Sequence, residues 1–106
     1  MAFQVGSTLL DACVLAVLRQ GDTYGYELTQ RIRTNLDISE STLYPVLRRL
    51  QKDGYLTLYD QPYQGRNRRY YSITPGGVEQ YERYVEEWAQ YKAQIDRALL
   101  GGESDE

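Results

Sequence analysis

The segment from Ile38 to Gly54 constrains the fold most, because it has the pattern of one amphipathic helix. Apolar residues recur at i, i+3, i+4 and i+7 and would form a buried stripe of Leu43, Val46, Leu47 and Leu50. Hydroxyl residues at its start can cap a helix, and Gly54 can adopt the positive φ of the residue that follows the last turn. The pattern predicts a helix that is buried on one face only.

The other face of this helix predicts a contact with nucleic acid. It carries hydroxyl, aromatic and cationic side chains, which bond to phosphates and base edges when a helix lies in the major groove. These residues are Ser41, Thr42, Tyr44, Arg48 and Lys52.

A preceding helix is predicted from an N-cap at Thr23 to about Asn35. It would be buried through Tyr24, Leu28 and Ile32. Because the connection to the next helix is short, the two are predicted to form a helix-turn-helix pair.

Charge is distributed unevenly along the chain. The formal net charge of −3 argues by itself against a nucleic-acid partner. Residues 31–69, however, hold eight Lys and Arg against four acidic residues, whereas residues 76–106 hold three against eight. Since phosphates respond to the local potential, the basic half is predicted to face DNA. A solvated surface with uneven charge is the alternative.

Beyond this helix the apolar period changes from 3.6 to 2, which predicts a β-hairpin. Leu56 and Leu58 alternate with other residues on its first strand, and Tyr71 and Ile73 on its second. Residues 60–69 are polar and rich in turn formers, so we expect a long loop that is basic at its far end through Arg66, Arg68 and Arg69. Such a wing can lie along a phosphate backbone, although an ordinary solvated loop has the same composition.

The first and last helices predict a dimer. The first, from about Ser7 to Gln20, is apolar nearly all round, so one side would face its own domain and the other a second subunit. The last begins with the cap Thr74 and with Pro75, and its wide aromatic stripe continues to Leu99. Packing of the two helices across a two-fold axis would hide that stripe from water.

Composition excludes several classes of function. The chain has no His and one Cys, so zinc sites, disulfide frameworks and His-based catalysis are not expected. It shows no phosphate-binding glycine loop, no metal-ligand spacing and no nucleophile with a base, so we expect neither an enzyme nor a cofactor. No apolar run is long enough to span a bilayer, and we expect a cytoplasmic protein.

Several segments, in this order, resemble the PadR family of bacterial transcriptional regulators over about residues 7 to 100. They are residues 24–28 (Tyr-Gly-Tyr-Glu-Leu), 39–50 (Ser-Glu-Ser-Thr-Leu-Tyr-Pro-Val-Leu-Arg-Arg-Leu), 52–54 (Lys-Asp-Gly) and 65–74 (Gly-Arg-Asn-Arg-Arg-Tyr-Tyr-Ser-Ile-Thr). The resemblance implies a winged helix-turn-helix repressor of the short subfamily, which dimerises through its first and last helices and binds double-stranded DNA at a pseudo-palindromic operator. The candidate DNA contacts are then Tyr24, Ser39, Ser41, Thr42, Tyr44, Arg48, Lys52, Arg66, Arg68 and Arg69.

Residues 86–88 (Glu-Glu-Trp) also resemble a segment of the family's multidrug-sensing members. There the tryptophans of both subunits flank an apolar pore and stack on flat drugs, so the resemblance implies a planar aromatic effector bound by Trp88. The pore residues would include Val5, Asp11, Ala12, Lys92 and Ile95. Lys92 stands where an acid would favour cationic drugs, and Asp11 or Glu87 would have to supply that charge. A Trp88 that only fills the dimer core is the alternative.

The sequence thus predicts a mainly α fold with a small β-hairpin. Residues 1–74 would form the winged helix-turn-helix domain, residues 75–100 the dimerisation helix and residues 101–106 a disordered acidic tail. The expected function is that of a sequence-specific repressor released by a planar hydrophobic ligand. A winged-helix module that docks proteins and binds neither DNA nor ligand is the alternative.

Overall fold

The computed structural model describes residues 7–101, and within them the predicted fold class is confirmed. The elements follow in the order α1 (Ser7–Arg19), β1 (Thr23–Tyr24), α2 (Gly25–Asn35), α3 (Glu40–Lys52), β2 (Leu56–Tyr63), β3 (Arg66–Ile73) and α4 (Pro75–Leu100). The strands of this part of the chain form one antiparallel sheet in the order β1-β3-β2. Val5 and residues 102–106 of the predicted acidic tail lie outside the described residues.

Helix α1 is the centre of the hydrophobic core. Leu10, Val14, Leu15 and Leu18 are buried, and α2, α3, α4 and β3 all pack against this helix. Its two predicted apolar sides are therefore largely covered by elements of the same chain. Near its start, Leu9 and Ala12 border an open groove beside α4.

Helix α3 confirms the two-faced helix predicted from the sequence. Its apolar stripe is buried, and Ser39 is its N-cap, with Oγ accepting from the Thr42 amide at 3.3 Å. Gly54 follows the last turn with a φ of 85°, as expected of a glycine in that position. Pro45 lies inside the helix and has no N–H to donate to the Ser41 carbonyl one turn earlier.

The predicted N-cap of α2 is wrong, because Thr23 belongs to a short strand. In β1, Thr23 pairs with Tyr71 and Tyr24 with Tyr70 of β3. The Thr23 hydroxyl donates to the Glu27 carboxylate at 2.7 Å, while Tyr24 occupies the N-cap position without a side-chain cap bond and is only partly buried. A strand of two residues is too short to show a period in the sequence.

The predicted long loop of the hairpin is also wrong. Strands β2 and β3 pair continuously as far as Tyr63 opposite Arg66, so the turn consists of Gln64 and Gly65. Both residues have a positive φ, 50° and 82°, as a tight type I′ turn requires. Pro62 fits because β2 is an edge strand. The segment is polar because it forms a solvent-exposed ribbon, not because it lacks regular structure.

The start of α4 is confirmed and depends on a close contact at Gly77. The Thr74 hydroxyl donates to the Gly54 carbonyl at 2.7 Å and accepts from the Gly77 amide at 3.0 Å, and Pro75 is the first helical residue. Gly77 is buried. A Cβ added there would meet the Tyr55 carbonyl oxygen and would lie 2.7 Å from Ile73 Cγ1.

Gly77→Ala should therefore lower the free energy of unfolding by about 1–3 kcal/mol relative to Gly76→Ala, because the added carbon overpacks a backbone contact. Gly76→Ala is the matched control, since a Cβ there has its nearest neighbour, Thr74 Oγ1, at 3.7 Å. Both substitutions gain the same helix propensity. Urea denaturation measures the difference, and equal stabilities would contradict the close approach.

Candidate functional site

The exposed face of α3 presents the predicted nucleic-acid contacts on one surface. Ser41, Thr42, Tyr44, Arg48 and Lys52 are all exposed. Tyr44, Arg48 and Lys52 are spaced by four residues and lie along one line of the helix. Because the opposite stripe is buried, this line of one phenol and two cations is held toward solvent.

Three hydroxyl groups cluster at the N-terminus of α3. Ser39 Oγ lies 3.0 Å from Ser41 Oγ and 2.9 Å from Thr42 Oγ1. The N-terminus of a helix carries a partial positive charge, so hydroxyl donors at this position suit an anionic group such as a phosphate. The sequence indicated caps here, and the structure brings all three side chains together.

A polar cluster joins α2 to α3. Glu40, the first residue of α3, accepts from Gln30 Nε2 at 3.1 Å and lies 3.7 Å from Arg33 Nη1. Arg33 Nε also donates to the Ile38 carbonyl at 3.0 Å. The sequence did not assign these side chains, although Arg33 contributes to the basic half of the chain. Its guanidinium stabilises the turn of the helix-turn-helix pair.

The three wing arginines lie on two faces of the sheet, because side chains alternate along a strand. Arg66 and Arg68 share one face, and Arg69 lies on the other beside its cross-strand neighbour Asp60, with 3.3 Å between Nε and Oδ1. Tyr71 is on the same face as Arg69. Burial raises the pKa of Tyr71, and the nearby charges of Arg69 and Arg48 oppose this shift. Arg69 of the wing and Arg48 of α3 therefore both lie near Tyr71.

Arg68 is held between two tyrosine rings on the outer face of the sheet. Its Cζ lies 3.9 Å from the ring centroid of Tyr24 and 3.5 Å from that of Tyr63. Tyr70 joins this cluster, edge-on to Tyr24 at 5.8 Å and stacked on Tyr59 at 5.6 Å. Arg68 and Tyr24, both candidate DNA contacts, are thus engaged with each other. Arg66 beside the turn is exposed and forms no ion pair within residues 7–101.

Arg49 points away from the surface that Arg48 occupies. Its guanidinium forms an ion pair with Asp11 on α1, and the other carboxylate oxygen of Asp11 accepts from the Tyr84 hydroxyl at 3.3 Å. Asp11 is buried, with 7% of its surface exposed. The sequence contained one signal for this contact, since a carboxylate within an apolar helix needs a partner.

An open apolar groove of about 940 Å³ lies between the start of α1 and the C-terminal half of α4. Of the predicted ligand contacts, Ala12, Trp88, Lys92 and Ile95 line it, whereas Asp11 does not. Trp88 is 44% exposed, and its ring centroid lies 6.4 Å from that of Tyr91 at a tilt of 46°. The groove thus has aromatic walls that are open to solvent.

The groove is not positively charged despite Lys92. Lys92 Nζ lies 3.5 Å from Asp96 Oδ2 one turn later, and Glu87 lines the groove as well. Asp11 and Glu87 were the acids expected to compensate Lys92. The structure places Glu87 and Asp96 in the lining of the groove. Asp96 was missed, although its spacing of four residues from Lys92 is the signal for such a pair.

Residues 7–101 contain no group of three or more His, Cys, Asp or Glu side chains that could hold a metal ion. No helix in this range is long and apolar enough to cross a membrane.

Comparison with known proteins gives consistent matches. Residues 14–83 match the Transcriptional regulator PadR-like family. A transcriptional regulator of Mycobacterium tuberculosis is 38% identical over 87 residues, which cover 78% of this chain and 75% of that protein. A solved protein of Streptococcus mutans is 39% identical with a TM-score of 0.87, and all of both chains is covered.

Two further solved structures extend this comparison. A PadR-like transcriptional regulator of Bacillus cereus is 33% identical with a TM-score of 0.78, covering 90% of this chain and 94% of its own. PadR of Bacillus subtilis, solved in complex with operator DNA, shares the fold with a TM-score of 0.65 at 22% identity, over 73% of this chain and 46% of its own.

Proposed function

The chain belongs to the PadR-like family of transcriptional regulators, and we propose that it binds an operator in double-stranded DNA through α3 and the wing. The family match also confirms the expectation that it is not an enzyme. The observation that carries the proposal is the exposed face of α3, which presents hydroxyl and cationic groups on one surface. PadR of Bacillus subtilis, which has this fold, was solved with its operator.

In the proposed complex, α3 enters the major groove and the wing follows the phosphate backbone. Tyr44 and Arg48 face base edges, because they stand at the centre of the exposed helix face. The hydroxyls at the start of α3, with Arg66 and Arg69, bind phosphates. Arg68 contributes to the rigidity of the wing through its two tyrosine partners. The protein acts in the cytoplasm, where the DNA is.

A homodimer is proposed because α4 leaves large apolar side chains unburied. Val85, Trp88, Tyr91 and Leu99 are 44–68% exposed. The chain is also elongated, with a radius of gyration of 16.2 Å against about 13 Å for a compact domain of 100 residues. A second copy would cover these side chains. It would also set the α3 helices of the two subunits about 34 Å apart on a pseudo-palindromic operator.

In this proposed assembly, different parts of the chain have different functions, and the groove is an effector site. Residues 1–74 form the DNA-binding unit, residues 75–100 the dimerisation helix and residues 101–106 an acidic tail. The regulator is a repressor, released when a planar, neutral or cationic aromatic ligand stacks on Trp88 in the groove. The support is the aromatic lining of the groove and the acidic residues that offset Lys92.

Arg48→Ala should weaken binding to the operator by about 1–3 kcal/mol and hardly change binding to a shuffled duplex, because a base contact discriminates sequence. Arg66→Ala should weaken both duplexes alike and lower the slope of log K against log salt by about one ion, because a phosphate contact does not discriminate. Fluorescence anisotropy with a duplex from the region upstream of the protein's own gene measures both constants.

Arg83→Ala is the matched control for these variants, since it removes the same charge from an exposed side chain of α4. It should leave both affinities unchanged. Losses of equal size on both duplexes for Arg48→Ala and Arg66→Ala would contradict the division of roles. Failure of the wild type to bind any upstream duplex would favour the protein-docking module.

Tyr91→Arg should convert the dimer into a monomer, because the substitution places a charge among the apolar side chains that the second copy covers. Tyr91 is 56% exposed in the single chain, so the change costs the fold little. Ala93→Arg adds the same charge on the opposite side of α4, where the residue does not line the groove, and should remain dimeric. Sedimentation equilibrium measures the masses, and an unchanged mass for Tyr91→Arg would exclude this interface.

Nile red, a flat neutral dye, should quench the emission of Trp88, the only tryptophan, and should weaken operator binding. Trp88→Ala should weaken dye binding by about tenfold or more, because it removes both the apolar contact area of the ring and the stacking term of about 0.5–1.5 kcal/mol. The variant's dimer mass and ligand-free operator affinity should stay at wild-type values. A Trp88→Ala chain that no longer dimerises, together with a wild type that the dye does not quench, would identify Trp88 as core filler.

A further inference from the structure

The buried carboxylate of Asp11 has no part in the proposed DNA surface or in the lining of the groove. It lies on α1 between Leu10 and Ala12, in a stretch from Leu9 to Leu18 that is otherwise apolar. Burial of a charge without partners costs several kcal/mol, so the groups that meet this carboxylate determine whether its position is tolerated.

Two groups from different helices meet the two oxygens of Asp11. Oδ1 accepts from the Arg49 guanidinium of α3, and Oδ2 accepts from the Tyr84 hydroxyl of α4 at 3.3 Å. Burial raises the pKa of Asp11, while the charge of Arg49 and the hydrogen bond from Tyr84 oppose that shift. The ionised carboxylate therefore depends on both partners.

One partner lines the groove, and the other belongs to the helix that is proposed to bind DNA. The Tyr84 side chain lines the groove between α1 and α4. Arg49 directly follows Arg48, which faces the proposed DNA surface. Besides this ion pair, Glu40 at the start of α3 bonds to Gln30 of α2, and the rest of α3 meets the core through its aliphatic stripe, whose contacts lack the direction of a hydrogen bond.

We propose that Asp11 couples the groove to the reading helix, so that Tyr84, Asp11 and Arg49 transmit the state of the groove to the orientation of α3. The coupling rests on the proposed function of both sites. A guest that displaces the Tyr84 hydroxyl removes one of the two bonds that hold Asp11. The carboxylate is then held by the Arg49 ion pair. Asp11 acts as a positioning residue, since it lines neither ligand site.

Coupling of this kind is reciprocal: if the state of the groove alters DNA affinity, DNA must alter the groove. The test therefore needs no ligand at first. Operator added to the wild-type dimer should change the emission of Trp88, which lines the groove and is the only tryptophan. In Tyr84→Phe, which keeps the ring but lacks the hydroxyl, operator should still bind, and the change in emission should fall by more than about half.

Tyr81→Phe is the matched control, because Tyr81 lies on the same helix and packs against the core but does not line the groove. Its hydroxyl makes no hydrogen bond within residues 7–101. The control should keep the full emission change. Urea denaturation of both variants shows whether they are equally folded, and a purely structural role of Tyr84 would alter stability without altering the emission change.

A second measurement uses Nile red as the guest. The dye should raise the operator Kd of the wild type about fivefold or more and that of Tyr84→Phe less than about twofold. Operator binding by the wild type without any change in Trp88 emission would overturn the coupling and leave the DNA-binding proposal standing. A full emission change in Tyr84→Phe would likewise overturn the coupling and leave the DNA-binding proposal standing. A wild type that binds no upstream duplex would overturn the proposed function, and the coupling with it.

Discussion

One buried carboxylate joins three helices of the fold. Asp11 lies where α1, α3 and α4 meet, and Arg49 and Tyr84 reach it from the other two helices. The hydrophobic effect that buries the aliphatic side chains of α3 and α4 has no preferred direction. An ion pair and a hydrogen bond to one carboxylate do have a direction. The apolar core therefore holds the helices together, Asp11 constrains the orientation of α1, α3 and α4, and Glu40 constrains α3 against α2.

Local patterns in the sequence predicted most helices and strands, whereas they could not predict contacts between residues that are distant in the chain. The stripe of α3, a hydroxyl cap at its start, Gly54 and the start of α4 at Thr74 each follow from a few neighbouring residues, and all are confirmed. Strand β1 exists because it pairs with β3, about 47 residues later in the chain, and a pair of residues shows no period of its own. The wing looked like a loop because a ribbon exposed to water is as polar as a loop.

In the candidate DNA surface too, the sequence predicted which side chains are exposed but not which distant residues they contact. Arg48 and Arg49 are adjacent and chemically identical, and helical periodicity indicated correctly that Arg48 faces outward. It could not show that Arg49 meets a carboxylate 38 positions away. In the wing, alternation along β3 separates Arg69 from Arg68, yet the sandwich of Arg68 between Tyr24 and Tyr63 depends on a register across three strands. Composition alone therefore does not distinguish these arginines, although their surroundings differ.

The position of Tyr84 connects assembly with regulation in the proposed dimer. A groove of about 940 Å³ is at the upper end of the range for small-molecule sites, so a second copy can cover part of it and still leave room for a flat guest. Guest and partner would then share the apolar walls of α4, and any guest would act on the spacing of the two subunits. Because Tyr84 lines the same groove and bonds to Asp11, the guest would act on α3 of each subunit at the same time. A ligand can alter DNA affinity only if it distinguishes two arrangements of the protein, and here both the subunit spacing and the orientation of α3 offer such a distinction.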